Sequence, residues 1–373
     1  MRPRHRLTRR QFVHTVGLTA AAAAATQACR SLGLRTEATI PAPSDVPLNP
    51  TSTPTPTAAP TPQPLPSATP PSMIGRVALV KTEDRAYGVR RALDLLELNP
   101  TQGKRVLLKP NYNTADPAPA STHPEVLRAF SRWLWDSGAE TITVGDRAGM
   151  GATRAVLDLA GAFQVASDLG LETVVFDELD PDGWVPQQLT GSHWPRGFSL
   201  ARPVVEAEAV VLACCLKTHR FGGHFTLSLK NAVGMVAKRI PGEGYNYMDE
   251  LHNSAHQRRM IAEVNAAYTP ALAVIDGVDA FTSGGPEAGT KVHAQVVLAG
   301  ADRVALDAVG VALLRYYGTT NVVASGPIFQ QEQIARAVEL GLGVSSASGI
   351  ELVTDDPDSR AYAAALQPIL AGG

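Results

Sequence analysis

From Met73 onward, short apolar runs alternate with helical patterns, and that alternation restricts the fold more than any other feature of the 373 residues. The runs are residues 77–80, 106–108, 142–144, 174–176, 209–216, 272–275 and 296–298, with helical patterns at 89–96, from Pro124 onward, at 154–160 and at 163–169. A strand with one wet face alternates apolar and polar residues. Apart from Thr143 these runs are apolar throughout, so both of their faces must be covered. The expected fold is therefore α/β, a mostly parallel sheet covered by helices on both faces. Irregular inserts are expected near 177–200 and 235–258, where Pro, Gly and Trp break the pattern. Beyond Tyr317 two further helical patterns close a single domain of residues 73–373.

Composition supports a folded chain, since 45% of residues are apolar and 18% charged. Five of the 33 Lys and Arg residues (Arg2, Arg4, Arg6, Arg9 and Arg10) fall within the first 28 positions, which hold no acidic residue. The remainder carries 28 basic and 35 acidic residues, a net charge of −7. Such a surface repels phosphate backbones, so nucleic acid is not an expected partner. Cys29, Cys214 and Cys215 match no disulfide, zinc or iron–sulfur spacing. The vicinal pair lies in an apolar run, where neighbours face opposite ways, and reads as two small buried hydrophobes.

The basic start and Thr8-Arg9-Arg10-Gln11-Phe12 precede an Ala-rich stretch, 13–25, too short to span a membrane. Residues 1–28 read as a signal peptide of twin-arginine type, which makes the protein exported to the cell envelope or the outer face of the membrane. Ala28-Cys29 offers either a small-residue cleavage site or a degenerate lipobox that would lipidate Cys29, and this lipid would be the sole membrane anchor. Residues 29–72 form a linker rich in Pro, Thr, Ser and Ala that cannot pack a core. Its last 32 residues, extended, reach on the order of 100 Å.

In open α/β sheets the ligand crevice lies beyond the carboxyl ends of the strands, so the residues after each run are informative. They are Lys109-Pro110-Asn111, Gly145-Asp146-Arg147, Lys217-Thr218-His219, Asp276-Gly277-Val278-Asp279 and Ala299-Gly300-Ala301-Asp302. On a common rim these residues would hold an anion beside an acid/base or metal-binding group. The segment 226–234 reads as a helical turn whose free amides would add to anion binding, with Lys230 and Asn231 on it. The glycine-dense loop 283–289 meets neither phosphate-loop nor dinucleotide-binding spacing. His252 and His256, four apart, would share a helix face and chelate a metal. Asp302 can serve either a metal or as the N-cap of a helix over 304–314.

In order, Lys109-Pro110-Asn111, His123-Pro124, Gly138-Ala139 with Gly145-Asp146, Lys217-Thr218-His219, Lys230-Asn231 with Gly234, Asp276-Gly277, the loop 284–289 and Asp302 to Asp307 resemble the domain of unknown function 362 family, over about residues 77–314. The resemblance implies an uncharacterised α/β domain of bacteria and archaea, and many members add a ferredoxin-type cluster segment. Three cysteines cannot ligate such a cluster, so no iron–sulfur cluster is expected here.

The leading expectation is an enzyme acting on a small anionic substrate. Lys109, Asn111, Lys217, Lys230 and Asn231 would bind it. His219, Asp146 and Asp276 would move protons, and a divalent metal, if used, would draw on Asp302 and His256. The rival is a tethered solute-binding or cell-surface interaction protein that holds the same ligand without turnover.

Overall fold

A computed structural model describes residues 74–372. The signal peptide, the linker and Cys29 lie outside these residues. In chain order the elements are β1 (Gly75–Lys81), α1 (Arg85–Leu95), β2 (Arg105–Lys109), α2 (Pro124–Asp136), β3 (Thr141–Asp146), α3 (Thr153–Leu159), α4 (Ala162–Leu169) and β4 (Glu172–Val175). They continue with β5 (Trp184–Gln187), β6 (Phe198–Ala201), α5 (Arg202–Glu206), β7 (Ala209–His219), β8 (His224–Thr226), α6 (Ser228–Asn231), α7 (Tyr247–Asn253) and α8 (Gln257–Val264). The last are β9 (Pro270–Gly284), β10 (Gly289–Val292), β11 (Val296–Gly300), α9 (Arg303–Tyr316), α10 (Asn321–Ala324), α11 (Glu332–Glu339), β12 (Ile350–Val353) and α12 (Pro357–Gly372).

The main sheet runs β12-β1-β11-β9-β7-β2-β3-β4, with β8 paired to β7 and β10 to β9. Every pairing along that order is parallel except the two made by β11. Successive residues of the central strands feed opposite cores, as runs apolar on both faces require. On β7, Val210, Leu212, Cys214 and Leu216 enter one core, and Val211 and Ala213 enter the other. The first core is closed by α8, α9, α11 and α12, and the second by α1, α2, α3 and α4. The α/β reading therefore holds, with helices on both faces.

Local signals set several boundaries. Pro124 opens α2 behind an N-cap from His123, and Asp302 caps α9 by accepting from the amide of Ala305 at 2.8 Å. The insert near 177–200 forms the two-stranded β5–β6 sheet, whose Trp184, Phe198 and Leu200 enter the larger core together with Trp194. A bridge between Leu200 and Val236 ties this sheet to the second insert. That second insert is more regular than expected, because Asn246 caps α7 by accepting from the amides of Met248 and Asp249. Cys214 and Cys215 are free and buried.

Two expectations about strand ends are corrected. β9 does not stop at Ile275 but continues through Asp276 and Asp279 to Gly284, because β7, β11 and β10 all pair with it. β11 runs against its neighbours, so Asp302 emerges at the opposite end of the sheet from the other strand tips. No helix separates β9 from β11. A parallel return needs a crossover of a dozen or more residues, usually helical, whereas the hairpin present here returns the chain antiparallel.

Candidate functional site

Beyond the carboxyl ends of β2, β3 and β7 lies a cavity of about 630 Å³, within the range of small-molecule sites. Lys109 and Asn111 reach it from the end of β2, Asp146 and Arg147 from β3, and Lys217 and His219 from β7. α6 and the turn after it add Lys230, Asn231 and Gly234. The insert containing α7 supplies Lys238, Met248 and His252.

At its floor, Lys109 and Asp146 form an ion pair of 2.6 Å, each about 1% exposed. Lys109 Nζ also donates to the carbonyl of Pro110 at 2.7 Å and to Asn231 Oδ1 at 3.3 Å, and Asn111 donates to the same Asn231 oxygen at 3.2 Å. Asp146 accepts from the backbone amides of Tyr112 at 2.8 Å and Arg147 at 2.6 Å. Burial pushes the carboxyl of Asp146 up and the amine of Lys109 down, and their mutual attraction opposes both shifts. With both oxygens engaged, Asp146 is an anchor for the strand tips. Gly234 makes this possible, since a Cβ there would stand 2.7 Å from Lys109 Nζ and 2.9 Å from Asp146 Oδ1.

Four further lining residues are cationic, against one further carboxylate, Asp249. Arg147 donates to the carbonyls of Val236 and Val233, both at 2.7 Å, and the fully buried Lys217 donates to the carbonyl of Ala120. Lys230 and Lys238 are half-buried. Among the described residues none of these four cations makes an ion pair. Desolvation, with the charges of Lys217 and Arg147, lowers the Lys230 amine to about 7. Desolvation and the charges of Lys230 and Lys217 hold the His219 imidazole well below its ordinary 6.5, so it is neutral. His252 Nδ1 lies 2.6 Å from the carbonyl of Met248, which can only accept, so that nitrogen carries the proton.

Four buried polar atoms of lining residues have no protein partner: Asn111 Oδ1, the hydroxyl of Tyr112, His219 Nδ1 and Thr226 Oγ1. Lining a cavity, these four atoms meet whatever fills it, water or a bound molecule.

Seven of the ten residues read from sequence as catalytic, substrate-binding or metal-binding thus converge: Lys109, Asn111, Asp146, Lys217, His219, Lys230 and Asn231. Three do not. Asp276 lies within β9, accepting from Arg85 Nε at 2.9 Å and from the amide of Val278 at 3.0 Å. Asp302 is at the far end of the sheet, where its second oxygen accepts from the amide of Val344. His256 stands outside α7, which ends at Asn253, and its ring lies 4.5 Å from that of His193. His252 and His256 therefore share no helix face. No three His, Cys, Asp or Glu side chains among the described residues are arranged to hold a metal. The amides opening α6 are also taken, because Asp307 of α9 accepts from Ser228 at 2.8 Å and from Leu229 at 3.3 Å.

The family model for a domain of unknown function (DUF362) matches residues 106–312, more than half of the chain. The chain belongs to the DUF362 family. The matched segment runs from β2 through most of α9 and contains the whole cavity lining. The DUF362 chain is also 26% identical over 207 residues to the thylakoid-associated protein sll1697 of Synechocystis sp., a match covering 55% of this chain and 61% of that protein. The chain thus spans about three fifths of that relative's length.

Tyr112 and Lys238 join the lining without having been singled out, Arg147 and Thr226 had been named only as part of a strand tip and of the 226–234 turn, and His252 only as a metal-chelating partner of His256. Arg147 directly follows Asp146, and Tyr112 directly follows Asn111, so adjacency to a strand tip was the available signal. Lys238 and His252 come from the second insert, whose fold over the strand tips has no sequence signature.

Proposed function

We propose that this DUF362 protein is an exported enzyme of the cell envelope that binds a small anionic substrate in the cavity and acts on it by acid/base chemistry. The carrying observation is the charge imbalance of the lining: Arg147, Lys217, Lys230 and Lys238 face the cavity without a carboxylate partner, beside four unmet buried polar atoms. A carboxylate or phosphate group supplies the missing charge and an acceptor for the hydroxyls of Tyr112 and Thr226, while Asn111 Oδ1 and His219 Nδ1 take donors such as ligand hydroxyls. Arg147 and Lys217 hold the anion, and Asn111, Asn231 and Thr226 orient it. His219 is the proton carrier, because a bound anion offsets the cations that depress its basicity and draws its pKa toward neutrality. Asp146 fixes Lys109 and the strand tips.

Acid/base chemistry is favoured over metal-assisted chemistry because the same cations repel a divalent ion. Export rests on the twin-arginine pattern and the Pro/Thr linker. The match to a thylakoid-associated protein is compatible with a membrane-facing location. No helix of the described residues is long and apolar enough to cross a membrane.

A thermal-shift screen of carboxylate and phosphate metabolites, with product analysis on every hit, tests the reading. Stabilising hits that are converted by the wild type and left unconverted by His219→Gln are expected. Hits bound without conversion would favour the tethered binding protein, and no anionic hits would remove both.

A further inference from the structure

Anion binding alone does not account for Lys230. An anion holder gains from staying charged, yet Lys230 is desolvated and sits beside Lys217 and Arg147, where its charge is disfavoured. Building on the anion site above, we propose that Lys230 is a nucleophile whose Nζ condenses with the carbonyl carbon of a 2-oxo acid held through its carboxylate by Lys217 and Arg147.

Three placements support this assignment. The ammonium groups of Lys109 and Lys217 are tied to protein acceptors, whereas Lys230 Nζ has no hydrogen bond or ion pair among the described residues. Gly223 lies beside the end of Lys230 and beside His219, since a Cβ there would stand 2.6 Å from Lys230 Cε and 3.2 Å from His219 Nδ1. A bare glycine therefore lets the amine-bearing chain and the imidazole pack at one point. His219 Nδ1 is buried without a partner and is free to take a proton. At the cavity mouth, Met150 and Phe221 are 44% and 45% exposed, which suits an apolar tail on the acid.

The balance of the step is closed. An amine lowered to about 7 is partly neutral near neutral pH and carries a free lone pair. That lone pair forms the N–C bond while the carbonyl π pair moves to oxygen, which takes a proton from solvent, the one proton the step consumes. His219 accepts a proton from the attacking nitrogen and returns it to the new hydroxyl, which leaves as water. The product is an iminium, whose positive charge stays next to the bound carboxylate, and no oxidant or reductant is consumed.

The test is reductive trapping. The full chain is incubated at pH 7 with pyruvate, 2-oxoglutarate or phenylpyruvate and sodium cyanoborohydride, then mapped by peptide mass. A reduced adduct on Lys230 is expected, strongest with phenylpyruvate. It should vanish in Lys230→Arg, a variant that keeps its charge and still binds inorganic sulfate. No adduct, or one spread over other lysines, in a wild type that binds sulfate would overturn the nucleophile and leave the anion site standing. A wild type that binds neither sulfate nor the oxo acids would overturn both.

Discussion

Asp146 and Lys109 are each untenable alone in the position they share. A carboxylate and an ammonium 2.6 Å apart and about 1% exposed cost much desolvation, which only the partner and the surrounding donors offset. Asp146→Asn should therefore destabilise the fold by about 3–5 kcal/mol, read as a fall in the urea midpoint. The double variant Asp146→Asn with Lys109→Met should recover a large part of that loss, and no recovery would mean the pair is not coupled. Lys230 makes a different prediction, because its charge is lost as pH rises through about 7. Sulfate, whose own charge is constant over this range, should bind more weakly at pH 8.5 than at pH 6. Lys230→Arg, which stays charged, should reduce that dependence to the part coupled through His219. The unfolded chain keeps the Lys230 proton up to the ordinary 10.5 and the folded chain only to about 7. The unfolded state then binds more protons between those values, so this group's contribution to stability rises with pH across the window. Urea midpoints should show Lys230→Met gaining on the wild type at pH 6.5 and losing that advantage by pH 9.5.

Short elements near the site are held by distant ones. α6 has four residues and no cap of its own; Asp307, from the middle of α9, fills that role through Ser228 and Leu229. Burial raises the Asp307 carboxyl to about 7 despite these bonds. Asp307→Ala leaves both amides unmet and should cost about 1–3 kcal/mol in urea denaturation. It should also weaken sulfate binding, because Lys230 and Asn231 ride on α6, and an unchanged affinity would show that α6 holds its place without the cap. The same element shows where sequence reading stops. The segment 226–234 was legible as a helical turn from its own residues. That its amides were already taken was not, because the acceptor lies nearly eighty positions away. Strand tips behaved similarly. Lys109, Asp146, Lys217 and His219 were legible because parallel strands must end together. Asp276 and Asp302 were misplaced because β9 runs on and β11 reverses, and the missing helix between them was the overlooked sign.

At the scale of the whole molecule, the alternation of apolar runs with helices was enough to give the sheet, its two covers and the end that carries the cavity. The wall over that cavity was not legible, since an insert's position depends on contacts such as the Leu200–Val236 bridge, which no local pattern encodes. The wall matters because it completes a cavity in which four unpaired cations face one anchored carboxylate of Asp146 and the exposed Asp249. That arrangement carries an electrostatic cost, which the anion proposed above would relieve. Calorimetric titration of sulfate into the full chain tests this most directly. The wild type should bind with one-to-one stoichiometry, and Lys217→Met, confirmed folded by circular dichroism, should bind at least about tenfold more weakly, a loss of about 1.4 kcal/mol. No saturable binding to the wild type, or equal affinity in the folded variant, would contradict the account.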